Sequence, residues 1–252
     1  MQEKYTCVIL GGSSDIARAY TRRLIQEYGA SLNLIIVGRN KIDLEADHKD
    51  FEGRGAGLVE SFVCDLSLLG SIDSNFNNIV SEKVIIDEAL IAYGILGDNE
   101  VSRNSTAFLS ENLVVNFVSV AAWSQKLLNL FIRQDKGHLS VIGSVAGDRG
   151  RQSNYVYGSA KGGLDTFITG LQHSIASVPN VSVNFIKPGF VDTSMTVSFK
   201  KGPLWVSPEK IATIITKAKQ KKKLTVYAPW FWRWIMLIIR SVPTFVFHKT
   251  KL

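Results

Sequence analysis

The chain has 252 residues, of which 46% are hydrophobic and 20% are charged, and its formal net charge is +7. This length suits one large α/β domain, and the composition excludes a disordered or low-complexity protein. The positive charge is concentrated, because the segment from Lys200 onward carries 12 of the 29 Lys and Arg but only one of the 22 Asp and Glu. This imbalance excludes an evenly basic nucleic-acid-binding surface and favours a local docking face.

A strand, a glycine-serine turn and a helix open the chain, in the run TCVILGGSSDIARAYTRRLIQEYG. The pattern is typical of a dinucleotide-binding unit, because glycines let the backbone approach a pyrophosphate that the helix N-terminus attracts. A plain strand-to-helix turn is the alternative. Asp15, at a position where the usual pattern has glycine, is expected to cap the helix and face its amides. The predicted cofactor contacts in this turn are Gly11, Ser13, Ser14, Asp15 and Ile16.

The ends of the next strands continue the predicted cofactor site. Arg39 follows the apolar run LNLIIVG and is suited to pair with a 2′-phosphate, which favours NADPH over NADH, with a solvated surface arginine as the alternative. Asp65 ends VESFVCD and either accepts from an adenine amino group or caps the following helix. The run DEALIAYG is a fourth strand with Gly94 at its tip. The cofactor contacts predicted here are Arg39, Asp65, Leu66, Ala92 and Gly94.

A proton-transfer site is predicted between Ser144 and Lys161. Tyr157 and Lys161 lie one helical turn apart, so the ammonium is expected to lower the pKa of the phenol. Ser144 follows the apolar run LSVIG, where its hydroxyl is placed to hydrogen-bond a substrate oxygen. A packing role is the alternative for Tyr157. Asn116 lies in a long apolar helix from about Ser105 to Phe131, either as a structural amide or as a link in a proton relay.

The sixth strand and its exit complete the predicted sheet. Pro188 and Gly189 break the strand, and Thr193 then places a hydroxyl at the carboxyl end of the sheet. The alternation of strands and helices predicts a single-domain, Rossmann-like α/β fold with a doubly wound parallel sheet of about seven strands. Cys7 and Cys64 favour buried thiols in a reducing compartment, with no metal site. The first strand begins close to Met1, so we expect no cleavable signal peptide and a cytoplasmic location.

The C-terminal segment 229–252 is predicted to be separate from the domain 1–228. Between Trp230 and Phe247 it is almost entirely apolar or aromatic, but Arg233, Arg240 and Pro243 make it a poor membrane-spanning helix. A helix from about Trp230 is expected to place the two arginines on one side and mostly apolar residues on the other, Trp234, Ile235, Leu237 and Ile238. That arrangement suits a membrane surface, with added attraction from the upstream basic run, Lys217 to Lys223. An oligomer interface or a lid over an apolar substrate groove is the alternative.

With these residues in view, the chain resembles the short-chain dehydrogenase/reductases across nearly its whole length. The turn GGSSDIA is similar to the family's cofactor turn, IAYG stands where the family has Asn-Asn-Ala-Gly, and PGFVDT is similar to its nicotinamide-binding segment. Asn116, Ser144, Tyr157 and Lys161 match its catalytic tetrad in order and spacing. The resemblance implies that Lys161 also holds the nicotinamide ribose, that Asn116 holds a water, and that the protein is a homodimer or homotetramer. It adds four nicotinamide contacts, Pro188, Gly189, Val191 and Thr193.

A narrower resemblance concerns AYGILGD, VYGSAKGGLD and VYAPWFWRWIMLIIRSVP. These segments look like the reductases of the decaprenylphosphoryl-ribose 2-epimerase system. That resemblance implies a keto-sugar on a polyprenyl-phosphate lipid, an oxidase partner, and a place on the inner face of the cell membrane. We therefore expect an NAD(P)H-dependent ketoreductase with Tyr157 as proton donor. A reductase or dehydrogenase of a hydrophobic acyl or steroid-like substrate, and a non-catalytic cofactor-binding scaffold, are the alternatives.

Overall fold

Seven parallel strands form one sheet in residues 4–80 and 84–250, the part of the chain that the computed structural model describes. The strands are β1 Tyr5–Leu10, β2 Leu32–Gly38, β3 Leu58–Val63, β4 Glu88–Ile91, β5 Gly137–Ile142, β6 Val181–Pro188 and β7 Thr225–Ala228. Their spatial order is β3-β2-β1-β4-β5-β6-β7. The order reverses between β1 and β4, and ligands of such sheets bind beyond the carboxyl ends of the strands at that point. The predicted fold is confirmed.

Helices cover both faces of the sheet. Their bounds are α1 Asp15–Tyr28, α2 Lys41–Gly53, α3 Ile72–Ile79, α4 Asn99–Asn104, α5 Thr106–Leu113, α6 Ser119–Arg133, α7 Tyr155–Ser174, α8 Pro208–Gln220, α9 Trp232–Ser241 and α10 Thr244–Phe247. Side chains alternate along the strands, so Val8 and Leu10 pack with α3, α6 and α7, whereas Cys7 and Ile9 pack with α1, α2 and α8. The two cores follow from the period of two in a strand that is buried on both faces.

The predicted long helix around Asn116 is continuous from Thr106 to Arg133, with a π-helical turn at Val114–Val118 between α5 and α6. By length and composition it is apolar enough to cross a membrane. However, Trp123 and Phe131 on its C-terminal part are buried against the sheet, which is the position of a core helix. The π turn falls at Asn116, and such single turns often occur at functional sites.

At the amino ends of the strands, called here the amino edge of the sheet in contrast to the carboxyl edge at their other ends, a buried carboxylate joins four elements. Glu88 at the start of β4 is fully buried, and its carboxylate accepts from the hydroxyls of Tyr20 and Tyr5, the latter at 2.7 Å. The Lys219 ammonium on α8 lies 2.8 Å away. Burial raises the pKa of Glu88, but the attraction of Lys219 and the hydrogen bonds outweigh it and hold that pKa below its ordinary value. The network holds β1, β4, α1 and α8 together far from the carboxyl ends.

The C-terminal segment packs on the domain at the carboxyl edge of the sheet. The structure describes the segment as far as Thr250, and Lys251 and Leu252 lie outside the described residues. Since β7 separates α8 from α9, the basic run that ends at Lys223 lies at the amino edge and α9 at the carboxyl edge. Lys219 is moreover paired with Glu88. The expectation that this basic run reinforces the segment at a membrane stays a prediction, and β7 lies between the run and α9.

Candidate active site

Three elements bring the predicted catalytic residues together beyond the carboxyl ends of β4 and β5. Ser144 follows β5, and Tyr157 and Lys161 lie one turn apart on α7. These three residues line a cavity of about 440 Å³. Asn116 lies directly behind Gly94, since a Cβ built on that glycine would come 2.6 Å from the Asn116 Oδ1 and 3.7 Å from the Lys161 Nζ. The arrangement places a phenol, a hydroxyl and an ammonium at one cavity wall.

Small residues let the Ser144 turn pack tightly on α7. The Ser144 Oγ accepts from the amide of Ala146 at 3.1 Å and starts the turn Val145–Asp148. A Cβ on Gly147 would lie 2.7 Å from the backbone nitrogen of Gly162, and one on Gly158 would lie 2.9 Å from the Ala146 carbonyl oxygen. Both distances are shorter than van der Waals contact. Gly147 in the turn and Gly158 on α7 therefore set how closely the serine turn approaches the helix that carries the tyrosine.

Tyr157 retains its proton at neutral pH. Burial raises the pKa of the Tyr157 phenol to about 12, and a hydrogen bond with Ser144 opposes that rise. The Lys161 Nζ lies 5.8 Å from the centroid of the phenol ring. The predicted lowering of the Tyr157 pKa by Lys161 is wrong, because desolvation of the phenol outweighs the other influences.

Lys161 is itself buried, with 3% of its surface exposed. Its Nζ donates to the carbonyl oxygen of Ile142 at 3.3 Å. Burial lowers the pKa of Lys161 to about 8, because desolvation disfavours the ammonium. The side chain is therefore mostly charged at neutral pH but loses its proton in a mildly basic solution.

Asn116 uses its side chain on protein groups. Its Nδ2 donates to the carbonyl oxygens of Ile95 at 2.8 Å and Asn112 at 3.0 Å, and its Oδ1 accepts from the Ile95 amide at 3.1 Å. Of the two predicted roles, this is the structural one: the amide fixes the loop that leaves β4. A water-holding role stays a prediction.

The glycine-serine turn has the shape of a phosphate cradle. Gly11 has a φ of +85°, and a Cβ there would lie 2.7 Å from the Cβ of Tyr93, so this position needs glycine. The buried Ser13 hydroxyl has no hydrogen-bond partner among the described residues. An unpaired buried donor at the start of a helix is suited to a pyrophosphate oxygen. The residues present fit a dinucleotide.

Asp15 does not cap α1. Ser14 is the N-cap, and its Oγ accepts from the amide of Ala17 at 3.2 Å. The Asp15 carboxylate instead accepts from the amide and hydroxyl of Ser194, at 2.7 and 2.9 Å. The expectation that Asp15 faces the helix amides is wrong, because two donors from the loop after β6 compete for the carboxylate. The cofactor turn is thereby linked to that loop.

Most of the predicted cofactor contacts lie around the same cavity. Its lining includes Ser14, Asp15, Ile16, Ala92, Gly94, Tyr157, Lys161, Pro188, Gly189, Val191 and Thr193. Arg39 is exposed just beyond β2, on the β3 side of the sheet. Near it, the Asp65 carboxylate accepts from the amide and hydroxyl of Ser67, at 2.9 and 2.6 Å, and these bonds lower the pKa of Asp65. This is a local cap, and a contact of Arg39, Asp65 or Leu66 with an adenosine group stays a prediction.

Sequence reasoning missed the aromatic wall of the cavity. Phe190 stacks on Trp205 and meets Trp232 edge-on, with ring centroids 5.2 Å apart in both pairs. Trp232 fits against Gly189 so closely that a Cβ there would lie 1.8 Å from its indole nitrogen. The missed lining residues that carry polar or aromatic side chains include Asn99, Asn112, Arg151, Asn154, Phe190, Phe199, Trp205 and Trp232. Only the spacing of Trp232 and Met236, one turn apart, could have indicated the buried side of the segment.

The helix of the C-terminal segment begins at Trp232, rather than about Trp230. Trp232 and Met236 are buried beside Val145. The opposite side is exposed and carries both kinds of residue, Arg233, Trp234, Leu237, Ile238 and Arg240. The predicted division into an arginine side and an apolar side stays a prediction, and the structure adds that Trp232 and Met236 face the domain. Among the described residues, no group of three or more His, Cys, Asp or Glu is placed to hold a metal ion.

Comparison with known proteins agrees with this arrangement. Residues 5–203 match the family described as short chain dehydrogenase. An uncharacterized oxidoreductase of Mycobacterium tuberculosis is 32% identical over 242 residues, 96% of this chain and 95% of the relative. A 3-oxoacyl-acyl-carrier-protein reductase of Bos taurus is 30% identical over 190 residues, 75% of this chain and 77% of the relative. A short-chain dehydrogenase of Sphingobium yanoikuyae in complex with NADPH shares the fold, with a TM-score of 0.79, 17% identity, and coverage of 95% of this chain and 97% of that one.

Proposed function

The chain belongs to the short chain dehydrogenase family, and on that premise we propose that it is an NADPH-dependent reductase of a keto-sugar carried on a polyprenyl-phosphate lipid. The observation that carries the proposal is the meeting of Ser144, Tyr157 and Lys161 at one wall of the cavity, with the Lys161 Nζ 5.8 Å from the centroid of the phenol ring. A carbonyl oxygen must gain a proton as it becomes a hydroxyl, and a phenol that keeps its proton at neutral pH is the form that can donate it.

The catalytic residues divide this work. Tyr157 donates its hydroxyl proton to the substrate oxygen, and the Ser144 hydroxyl orients that oxygen. Lys161, which is mostly charged at neutral pH, stabilises the phenolate that remains on Tyr157. Bound NADPH supplies the hydride that the carbonyl carbon accepts. Asn116 fixes the loop beside Lys161 and thereby the wall on which the substrate rests.

The cofactor is assigned to the predicted contacts. The pyrophosphate belongs at the turn Gly11 to Ile16, with the unpaired Ser13 hydroxyl as a donor. Arg39 is assigned to the 2′-phosphate, which makes NADPH the preferred cofactor and NADH the alternative. Structures that share the fold have been solved with NADPH and with NAD, so the choice of NADPH rests on Arg39. The nicotinamide end is assigned to Ala92, Gly94, Lys161, Pro188, Gly189, Val191 and Thr193.

The substrate class follows from the aromatic wall and from the narrower resemblance. Phe190, Trp205 and Trp232 favour a substrate with a large apolar part next to the reacting carbonyl. A lipid-linked keto-sugar has both parts, and it requires an oxidase partner that makes the keto group. A long-chain 3-oxoacyl substrate is the second candidate, because one relative is a 3-oxoacyl-acyl-carrier-protein reductase.

Two synthetic ketones separate the candidates. One is a 2-keto-pentofuranose joined to decanol through a phosphodiester, and the other is a long-chain 3-oxoacyl thioester. We expect NADPH oxidation with a kcat/KM at least about tenfold higher for the keto-sugar, and NMR should identify the reduced sugar. A preference for the thioester would establish the second candidate. Binding of NADPH without reduction of either ketone would indicate a cofactor-binding scaffold.

We also propose that the segment 229–252 rests on the inner face of the cell membrane. Its exposed apolar side chains include Trp230, Trp234, Ile238 and Phe245, which are 72%, 56%, 68% and 71% exposed. Val197 and Phe199, also exposed, lie in the loop beside the cavity. An apolar surface next to the cavity that would receive a lipid-linked substrate suits an interfacial position. A homodimer or homotetramer interface is the competing use of this surface.

Flotation with phosphatidylcholine vesicles, with and without phosphatidylglycerol, tests the membrane proposal. The intact protein should float with the vesicles, and a double variant, Trp234→Ala with Ile238→Ala, should remain in solution. Ile42→Ala removes an equally exposed apolar side chain from α2, 78% exposed, and should float as the parent does. If the double variant floats fully with the vesicles, these side chains do not hold the protein at the membrane. If the parent is a dimer or tetramer in light scattering and the double variant is a monomer, the surface is a subunit interface.

A further inference from the structure

Arg151 lies in the loop between Ser144 and Tyr157 and lines two cavities at once. The first is the cavity of about 440 Å³ that contains the catalytic residues. The second is an open cavity of about 480 Å³, lined by Gly150, Arg151, Gln152, Tyr155, Phe247, His248 and Thr250. Arg151 is the residue that the two linings share. The second cavity contains none of the residues assigned to the cofactor.

The charge of Arg151 is not neutralised within the described residues. No Asp or Glu oxygen in that part of the chain comes within 4.0 Å of its guanidinium, and its buried Nε has no hydrogen-bond partner. Burial lowers the pKa of Arg151, and the charge of Asp148 opposes this. Asp148 is already engaged, because it pairs with Lys187 and accepts from the Tyr227 hydroxyl at 2.7 Å. A buried N–H group without a partner is unfavourable, and a ligand oxygen at the Arg151 Nε would satisfy it.

The neighbouring Arg149 shows how a structural arginine in this loop is used. Its Nη1 donates to the carbonyl oxygens of Ile239 and Val242, the latter at 2.7 Å, and its guanidinium stacks on the Phe247 ring at 3.8 Å. Arg149 therefore has partners that hold the C-terminal segment. Arg151, two residues further along the same loop, has none of this kind among residues 4–80 and 84–250, so no structural role within them explains its position.

The surroundings of Arg151 favour an anion. The side chains that line the second cavity with it offer hydrogen-bond donors, Gln152, Tyr155, His248 and Thr250, and none of the lining residues is Asp or Glu. In the first cavity, the Asp15 carboxylate is occupied by Ser194 and the Asp98 carboxylate by the amide of Glu100 at 2.8 Å. A guanidinium presents several N–H groups in a fixed plane, which matches the oxygens of a phosphate.

We propose that Arg151 binds a phosphate oxyanion of the substrate at the junction of the two cavities. The inference rests on the proposed function for the position of the reacting carbonyl, which lies at Tyr157 in the first cavity. The phosphate then lies at Arg151, and the apolar remainder leaves past Phe247 through the second cavity. The buried Asn154 Oδ1, which also has no partner among the described residues, is available to accept from a hydroxyl next to the phosphate.

Binding of non-reacting amphiphiles tests the site without turnover. Calorimetry measures the affinities of the protein, free or loaded with NADPH, for decyl phosphate and for decyl glucoside. We expect decyl phosphate to bind at least about tenfold more tightly, because one charge-assisted hydrogen bond contributes on that scale. Arg151→Gln should abolish that preference and leave binding of decyl glucoside unchanged, while Arg151→Lys should retain part of it. Arg133→Gln, which removes an exposed arginine at the end of α6, is the matched control and should behave as the parent.

Three outcomes overturn the inference. The first is an Arg151→Gln variant that melts at the parent temperature and binds decyl phosphate with unchanged affinity. The second is inorganic phosphate binding as tightly as decyl phosphate, which would identify a site for free phosphate instead of a substrate group. The third is an Arg151→Lys variant with no residual preference although it is folded, because a retained positive charge should keep part of the attraction.

Turnover separates this inference from the proposed function. With the decyl phosphodiester of the keto-sugar, Arg151→Gln should raise KM at least about tenfold and change kcat by less than about threefold. With the uncharged decyl glycoside of the same keto-sugar, the variant should match the parent. If the parent reduces neither compound, the proposed function is wrong, whereas the preference for decyl phosphate still decides the role of Arg151. Equal losses on both compounds would contradict a phosphate contact.

Discussion

The Glu88 cluster at the amino edge and the cavity at the carboxyl edge differ in how their buried polar groups are paired. At the amino edge, the Glu88 carboxylate is surrounded by two tyrosine hydroxyls and the Lys219 ammonium. At the carboxyl edge, four buried polar atoms have no partner among the described residues, Ser13 Oγ, Arg151 Nε, Asn154 Oδ1 and Trp232 Nε1. Buried polar groups in proteins are normally paired. The paired edge holds the fold, and the unpaired edge is where ligand atoms complete the bonding.

Titration distinguishes Glu88 from the catalytic pair. Partners hold the pKa of Glu88 below its ordinary value in spite of burial. Tyr157 and Lys161 have little compensation, so burial raises the pKa of the phenol to about 12 and lowers that of the ammonium to about 8. Partners therefore stabilise the charged form of Glu88, whereas burial disfavours the charged forms of Tyr157 and Lys161.

The largest expected effect comes from removing the proton donor at the unpaired edge. Tyr157→Phe should lower kcat by at least about 100-fold, because general acid catalysis contributes on that scale. Affinity for NADPH, measured by fluorescence titration, and the melting temperature should both stay close to those of the parent. A fully active variant would remove the proposed mechanism, and a variant that fails to bind NADPH would give Tyr157 a binding role.

Glu88→Gln should break the paired edge instead. Removing one partner of a buried ion pair costs about 3 kcal/mol of unfolding free energy, which urea denaturation measures. Where the variant is folded, kcat should equal that of the parent, because Glu88 lies at the edge opposite Tyr157. Low kcat in a folded variant would mean that the two edges are not independent.

The pH dependence of that stability difference has a definite sign. The folded-state pKa of Glu88 is lower than its ordinary value of 4.5, so its contribution is complete above about pH 4.5 and is lost as the pH falls through the folded-state pKa. The stability gap between the parent and Glu88→Gln should therefore narrow in acid. A gap that widens as the pH falls would contradict a charged Glu88 in the folded protein.

The smallest expected effect concerns Arg39. Arg39→Ala should lower the preference for NADPH over NADH by about ten- to a hundredfold, the value of one charge-assisted hydrogen bond. The ratio of the two kcat/KM values measures it, and Lys41→Ala, a nearby exposed cation, is the control. If the parent already prefers NADH, Arg39 is a surface residue that does not contact the adenosine end of the cofactor.

Local spacing predicted the parts of the site that lie within one strand-turn-helix unit. Tyr157 and Lys161 are one turn apart in any helix, and Gly11 stands where a tight turn follows a strand. Asp15 was misassigned because its partner, Ser194, lies 179 residues away in sequence. Burial of a phenol depends on packing from several elements, so the direction of the Tyr157 pKa could not be predicted from the four-residue spacing to Lys161.

The positions of the aromatic wall and of Arg151 could likewise not be predicted from local spacing, because they depend on elements that are distant in sequence. Trp232 lines the cavity only because β7 delivers α9 to the carboxyl edge and Gly189 leaves room for the indole. Arg151 meets the second cavity only because Phe247, 96 positions later, packs beside its loop. The composition of the C-terminal segment indicates an apolar surface, but the sequence alone does not show which side chains face the domain.

Arg149 makes the catalytic loop sensitive to the surroundings of the C-terminal segment. Its guanidinium, which joins the last turn of α9 to the residues between Ser144 and Tyr157, couples the docked position of the segment to the order of the loop. Such coupling is reciprocal: docking of the segment favours the ordered loop by the same coupling free energy with which the ordered loop favours docking. The rate of amide hydrogen exchange in the loop between Ser144 and Tyr157 therefore reports on what the C-terminal segment contacts.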